Sequence, residues 1–283
     1  MPSFPIVDTH LHIWDLGRLR YPWLASVPML NRNHLIEDYR AACGPVQVAK
    51  MVFLQCECDS AQFQEEADWV TEVARTDPRI RGIVPWAPLE RGDAAEEAVA
   101  RLASNPLVKG IRRIIQFEPD PEFCLRPDFV RGVQLLPRHD LSFDICINHT
   151  QLANTLKLVR QCPEVRFILD HIAKPDIKAG LLDPWRAEMR ELAALPNVWC
   201  KLSGLVTEAD HAKWTAADLR PYIDHVIDCF GFDRVMFGGD WPVSTQATGY
   251  PRWVATVDDA LKGATSDELQ RLYVRNAEAF YRV

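Results

Sequence analysis

Near the start of the chain, PIVDTHLHIWD (5–15) places Asp8, His10 and His12 within five positions, behind a short apolar run. Side chains alternate along an extended segment, so His10 and His12 share one face. Two neighbouring imidazoles at the end of a buried strand suit three jobs: holding a metal ion, acting as an acid/base and polarising pair, or packing. Further ionisable groups follow comparable apolar runs. Glu57 comes after Gln55-Cys56, Arg112 and Arg113 sit within GIRRII, His149 follows Asn148, His171 follows Asp170, and Asp240 follows two glycines in GGDWP. Singly, each has a structural alternative: a hydrogen-bonded histidine, a turn-capping aspartate, a helix-initiating glutamate. Arg112 and Arg113 point to opposite faces, so at most one of them turns inward. Together they gather charge at one end of many apolar runs, where unpaired charge is costly, and this points to a site.

The runs themselves recur eight times: 5–10, 49–55, 81–87, 108–115, 142–148, 165–171, 197–204 and 234–240. Several are nearly continuous in Val, Ile, Phe and Leu, as strands buried on both faces are. Between them lie segments with helical spacing, among them 60–78 with Ser60 as a cap, 93–106 and 151–163, each stopped by a proline. The stretch from Thr265 onward reads as a last helix capped by Ser266 or Asp267. Eight strand–helix units with no break in composition predict an α/β fold, a single (β/α)8 TIM barrel over residues 1–283. Its site lies at the C-terminal ends of the strands. The polar segment YPWLASVPMLNRNH (21–34) is expected to loop over the mouth, and segments 17–34, 116–128 and 243–252 to form its rim. KLSG (201–204) ends the seventh run, placing Lys201 and Ser203 at the mouth, although no Gly-x-Ser-x-Gly elbow surrounds that serine. Trp14, Trp86 and Trp241 lie at run ends, where they can wall a cleft.

Composition narrows the function. The net charge of −7 comes from interspersed residues with no basic cluster, which argues against nucleic acid or an anionic membrane as partner. There is no signal-peptide pattern and no apolar run approaching the roughly 20 residues of a membrane span. Eight scattered cysteines without a CxxC pair fit reduced, mostly buried thiols, and the expected compartment is the cytoplasm. No Walker loop and no GxGxxG is present.

VDTHLHIWD, LDHIAKP (169–175) and FGGDWP (237–242) resemble the strand-one HxH, strand-six His and strand-eight Asp signatures of the amidohydrolase superfamily. GIRRIIQ (110–116), CKLSGL (200–205) and RNAEAFY (275–281) extend the resemblance over essentially the whole chain. The chain is most similar to the sugar-lactonase branch, of the L-fuconolactonase and L-rhamnonolactonase kind. The resemblance implies a hydrolase that opens a sugar-acid lactone such as L-fuconolactone, as a monomer or homodimer. Asp240 is then the general base, with His10, His12 and His171 around it. Arg112, Glu57 and His149 bind or polarise the substrate, and Trp14 and Trp241 close around the sugar ring.

One departure bears on metals. Many amidohydrolases bridge two ions with a lysine or glutamate on strand four, where this chain has Arg112, whose guanidinium has no free lone pair. Lys109 comes too early in that run to reach the mouth. A binuclear centre is therefore not expected. What remains is one divalent ion, such as zinc, on His10, His12, His171 and Asp240, or no metal, with Arg112 and protonated histidines supplying the charge. The alternatives are a metal-dependent decarboxylase of an aromatic or muconate-type acid, or a barrel that binds a sugar acid without acting on it.

Overall fold

The computed structural model describes residues 1–283. Each of the eight apolar runs coincides with a strand to within a residue at its start or overlaps one: β1 (Ile6–Leu11), β2 (Val48–Leu54), β3 (Ile80–Val84), β4 (Gly110–Ile111), β5 (Ser142–Ile145), β6 (Phe167–Leu169), β7 (Val198–Leu202) and β8 (Val235–Phe237). All neighbours pair in parallel, in a three-stranded sheet β1-β2-β3 and a five-stranded sheet β4-β5-β6-β7-β8. Single parallel bridges join the two sheets at both seams, Ile83 to Val108 and Leu11 to Trp241. At the second seam the His12 N–H donates to Trp241 O (2.8 Å) and the Asp240 N–H to His10 O (2.7 Å).

Helices fill the intervals: α1 (Ile36–Ala42), α2 (Phe63–Thr76), α3 (Glu96–Ala103), α4 (Pro127–Gln134), α5 (Leu152–Gln161), α6 (Trp185–Ala193), α7 (Ala216–Phe230), α8 (Tyr250–Ala260), α9 (Ser266–Gln270) and α10 (Asn276–Tyr281). With helices outside, the strands are covered on both faces, and every residue of β1 and of β5–β8 is buried except Trp199. Two caps differ from expectation by one residue. Asp59, not Ser60, accepts from the Ala61 N–H at the turn before α2. Thr265 caps α9 in a reciprocal box with Glu268, one residue before Ser266. The closing helix is also interrupted, passing through a π-helical turn at 271–275.

From β3 onward the strands are shorter than the runs, and the difference falls mostly at their C-terminal ends. β4 stops before Arg112, β6 before Asp170 and β8 before Gly238. There the chain leaves the ladder to aim polar side chains at a common point, often through costly backbone. Of the eight non-glycine residues with positive φ, six are Glu57, Asp240 and the four consecutive residues His171–Lys174. Left-handed backbone costs roughly 1–2 kcal/mol per L-residue, and such strain persists where a site requires it.

Candidate active site

The twin histidines at the end of β1 do share a face, and both meet Asp240. One carboxylate oxygen, Asp240 Oδ1, lies 3.7 Å from His10 Nε2, 3.6 Å from His12 Nε2 and 3.9 Å from His171 Nε2. The four side chains come from β1 and from the turns after β6 and β8, and all are buried. Glycines permit the approach. A Cβ on Gly238 would fall 2.7 Å from His10 Cβ and 2.9 Å from Ser203 Cβ. Behind them Asp8 ties β1 to β8: its Oδ1 accepts from the His10 N–H (3.0 Å) and the Gly239 N–H (2.7 Å). The other oxygen of Asp8 accepts from the hydroxyls of Tyr39 (2.7 Å) and Tyr250 (2.9 Å).

The ring nitrogens have distinct partners. His12 Nδ1 is 2.9 Å from the Leu54 carbonyl, which can only accept, so Nδ1 carries the proton and Nε2 offers its lone pair toward Asp240. His10 Nε2 accepts from Arg112 Nη1 at 3.1 Å, so its proton lies on Nδ1, 3.4 Å from Asp170 Oδ1. His171 Nδ1 pairs with the Ser203 hydroxyl (2.9 Å). Burial lowers all three imidazole pKa values, well below the usual value for His10 and His171, with neighbouring cations and histidines adding to the effect. These shifts disfavour the protonated form of the rings, against which Asp240 acts at His12, and Arg112 is the cation hydrogen-bonded to the cluster.

Arg112 is the inward member of its pair, while Arg113 turns away to Glu90 and Glu118. Arg112 donates to Asp170 Oδ2 (3.2 Å) and to the Gln55 carbonyl (2.5 Å). Lys201 does not reach the mouth. It is fully buried beneath it, 2.7 Å from Asp144 Oδ2 and 3.0 Å from Asp170 Oδ1. Burial alone would raise the Asp170 carboxyl, but Lys201 and Arg112 outweigh it and hold it below the usual range.

A cleft of about 540 Å³ opens above this cluster, within the roughly 300–1,000 Å³ typical of small-molecule sites. His12, Arg112, His171 and Asp240 form part of its wall, with Trp14 and Trp23 on one side and Lys174, Glu208 and His211 on another. Trp23, Ser26 and Val27 belong to the loop expected to cover the mouth. Glu57, His149 and Trp241 do not line it. Glu57 takes a hydrogen bond from Gln55 (2.7 Å) and faces a neighbouring hollow with Arg113. His149 Nδ1 meets the Lys174 carbonyl (3.0 Å). Trp241 packs edge-on against His34 and Tyr39, one layer behind Trp14. Lys174 and Glu208 were not singled out from sequence, although Lys174 lies inside LDHIAKP and Glu208 four residues past Gly204.

Gly204 provides a test of the cluster. Its φ is +67°, and a Cβ there would lie 2.4 Å from His171 Nδ1. Gly204→Ala is expected to displace the imidazole and cut turnover about 100-fold, as misplacements near 1 Å do, while circular dichroism still reports a folded chain. Turnover within twofold of wild type would mean that His171 need not be held there.

The donor set fits a metal ion. Tetrahedral zinc, with bonds near 2.0–2.2 Å, spaces its ligands roughly 3.3–3.5 Å apart, close to the separations around Asp240 Oδ1. His10, His12 and Asp240 form one group able to hold an ion, although Arg112 competes for the lone pair of His10.

A buried carboxylate ringed by imidazole nitrogens, with a guanidinium beside it and an open cleft above, is equipped to activate water against a carbonyl. The chain belongs to the amidohydrolase family, whose model matches residues 7–283. It is 32% identical to the L-fucono-1,5-lactonase of Burkholderia ambifaria over 98% of this chain and 95% of that protein. To the L-fucono-1,5-lactonase of Burkholderia multivorans it is 35% identical over 89% and 87%. The crystal structure of an amidohydrolase from Burkholderia multivorans with bound zinc matches with a TM-score of 0.88 at 31% identity, covering 99% of this chain and 100% of that one. No helix is long and apolar enough to cross a membrane.

Proposed function

We propose that this chain is a cytoplasmic lactone hydrolase that opens a sugar-acid lactone of the L-fuconolactone kind, built as one domain whose two sheets close into a single (β/α)8 barrel. The seam bridges at Ile83–Val108 and Leu11–Trp241 support the closure. The observation that carries the activity is the convergence of three imidazoles on Asp240 Oδ1, with Arg112 hydrogen-bonded to His10 at the wall of the cleft.

In this reading Asp240, helped by the lone pair of His12 Nε2, orients a water beneath the lactone. The water oxygen bonds to C1 as its proton passes to Asp240. Arg112 stabilises the developing oxyanion, which suits a permanently charged, pre-oriented guanidinium in a water-poor site. The C1–ring oxygen bond then breaks and Asp240 returns the proton to that oxygen, so the net change is addition of one water. His171, steadied by Ser203, orders the same water, and Trp14 walls the cleft. His10, His12, His171 and Asp240 would hold a divalent ion, which when bound would polarise the carbonyl as a Lewis acid. The residues perform the steps above without it, so no metal is required. The decarboxylase alternative depends on a tightly held metal, which the donor set would also accommodate, but the two relatives named above are lactonases.

The test is lactone hydrolysis followed by pH indicator over a panel of aldonolactones, before and after chelation, with metal content measured on both samples. Activity is expected on at least one sugar lactone and is expected to survive chelation. Loss on chelation with recovery on adding zinc would make His10, His12 and Asp240 ligands. A panel without turnover would end the lactonase reading.

A further inference from the structure

We propose that Glu208 sets the charge specificity of the cleft: by neutralising Lys174 it reserves the site for uncharged polyhydroxylated lactones and turns away lactones bearing a further carboxylate. The inference rests on the lactone-hydrolase reading above. Besides His12, His171 and His211, the cleft is lined by two basic side chains, Arg112 and Lys174, and two carboxylates, Glu208 and Asp240. Arg112 is held beside His10, Asp170 and the Gln55 carbonyl, where in the reading above it serves the lactone carbonyl and not a remote substituent. Lys174 Nζ lies 4.0 Å from Glu208 Oε1, with the two side chains 20% and 26% exposed. At that burial the pair is screened less than a surface pair and holds more firmly. Burial raises the Glu208 carboxyl and nearby Asp240 adds to this, while Lys174 pulls it back down.

With Arg112 serving the carbonyl and Lys174 paired to Glu208, no second cation is left for a further substrate carboxylate, which would meet two carboxylates, Glu208 and Asp240. Repulsion of that kind is a common device for rejecting a near-cognate ligand. The Lys174 backbone is held firmly in place. It ends the left-handed run that begins with His171, and the His149 ring donates to its carbonyl. The backbone that aims the imidazole at Asp240 thus also sets the point from which the lysine side chain departs, and His149 acts here on that backbone.

The experiment compares kcat/KM for a neutral aldonolactone and for a lactone bearing a free carboxylate, muconolactone, in wild type, Glu208→Gln, Lys174→Met and Lys174→Met/Glu208→Gln, with thermal melts of all four. Glu208→Gln keeps size and hydrogen bonding while removing the charge. The ratio of carboxylated to neutral activity is expected to rise at least tenfold in Glu208→Gln, mainly through KM. It is expected to fall back to the wild-type ratio or below in the double variant, and to stay there in Lys174→Met. An unchanged ratio in Glu208→Gln, a rise that survives loss of Lys174, or a wild type that already opens the carboxylated lactone equally well would overturn the inference and leave the lactonase reading standing. A wild type that opens neither lactone would remove both.

Discussion

Asp240→Asn is expected to lower kcat for lactone opening by roughly 10²–10⁴-fold, the contribution of a positioned general base, while leaving the melting temperature within a few degrees. The backbone tolerates the change. The Asp240 N–H bonds to His10 O (2.7 Å) and its carbonyl accepts from the Ser244 N–H (2.8 Å), and neither bond needs the carboxylate. Its φ is +53°, a conformation asparagine adopts more readily than most residues. The amide keeps size and shape but cannot take a proton from water. What remains is a water beside His12 Nε2, whose basicity burial has reduced. Steady-state kinetics on wild type and variant at matched pH make the comparison. If the variant retained a tenth or more of wild-type kcat, the base would have to be a histidine, and His12, with its lone pair already turned to the cleft, would be the residue to substitute next.

Much of this site was legible in the sequence because parallel strands covered on both faces leave a clear trace. Their apolar runs are nearly unbroken, so polar residues stand out at the ends, and His10, His12, His171, Arg112 and Asp240 all stood out in that way. Strand order then implied that they meet. What could not be read was where each side chain points once the strand has ended. Glu57, His149 and Trp241 follow their runs as closely as the residues that converge, yet turns with their own hydrogen bonds carry them elsewhere. Lys174 and Glu208 escaped notice because they lie beyond the runs, Lys174 at the end of a left-handed turn with no glycine to announce it and Glu208 after the turn that follows Gly204. Lys201 was legible as a charged residue in a strand, but its depth depended on partners contributed from elsewhere, Asp144 in β5 and Asp170 in the turn after β6. Alternation alone says which face a residue takes, and leaves open whether a charge on that face reaches solvent.

That interior lysine should dominate stability. Lys201→Met is expected to destabilise the fold by about 3–5 kcal/mol, the usual cost of removing one partner from a buried ion pair. At roughly 2–4 °C per kcal/mol for chains of somewhat smaller size, this lowers the melting temperature by on the order of 10 °C. The cost arises from what remains. Asp144 keeps the Tyr281 hydroxyl (2.5 Å) but loses its cation, and burial already raises its carboxyl. Asp170 keeps only Arg112 as a close cation, and the guanidinium would be drawn toward it from the position it shares with His10. Activity should therefore fall along with stability. Lys201→Met/Asp144→Leu removes both the unpaired carboxylate and the lysine, and is expected to recover most of the lost melting temperature, because a well-packed apolar pair often matches a buried ion pair in stability. Turnover should recover less, since Asp170 still lacks the second cation that leaves Arg112 free to serve His10. Thermal melts and kinetics on the single and double variants separate the two effects. A Lys201→Met melt within about 2 °C of wild type, less than 1 kcal/mol on the same scale, would mean that the lysine carries no paired charge in the folded state. Full recovery of turnover in the double variant would mean that it acts on Arg112 through stability alone.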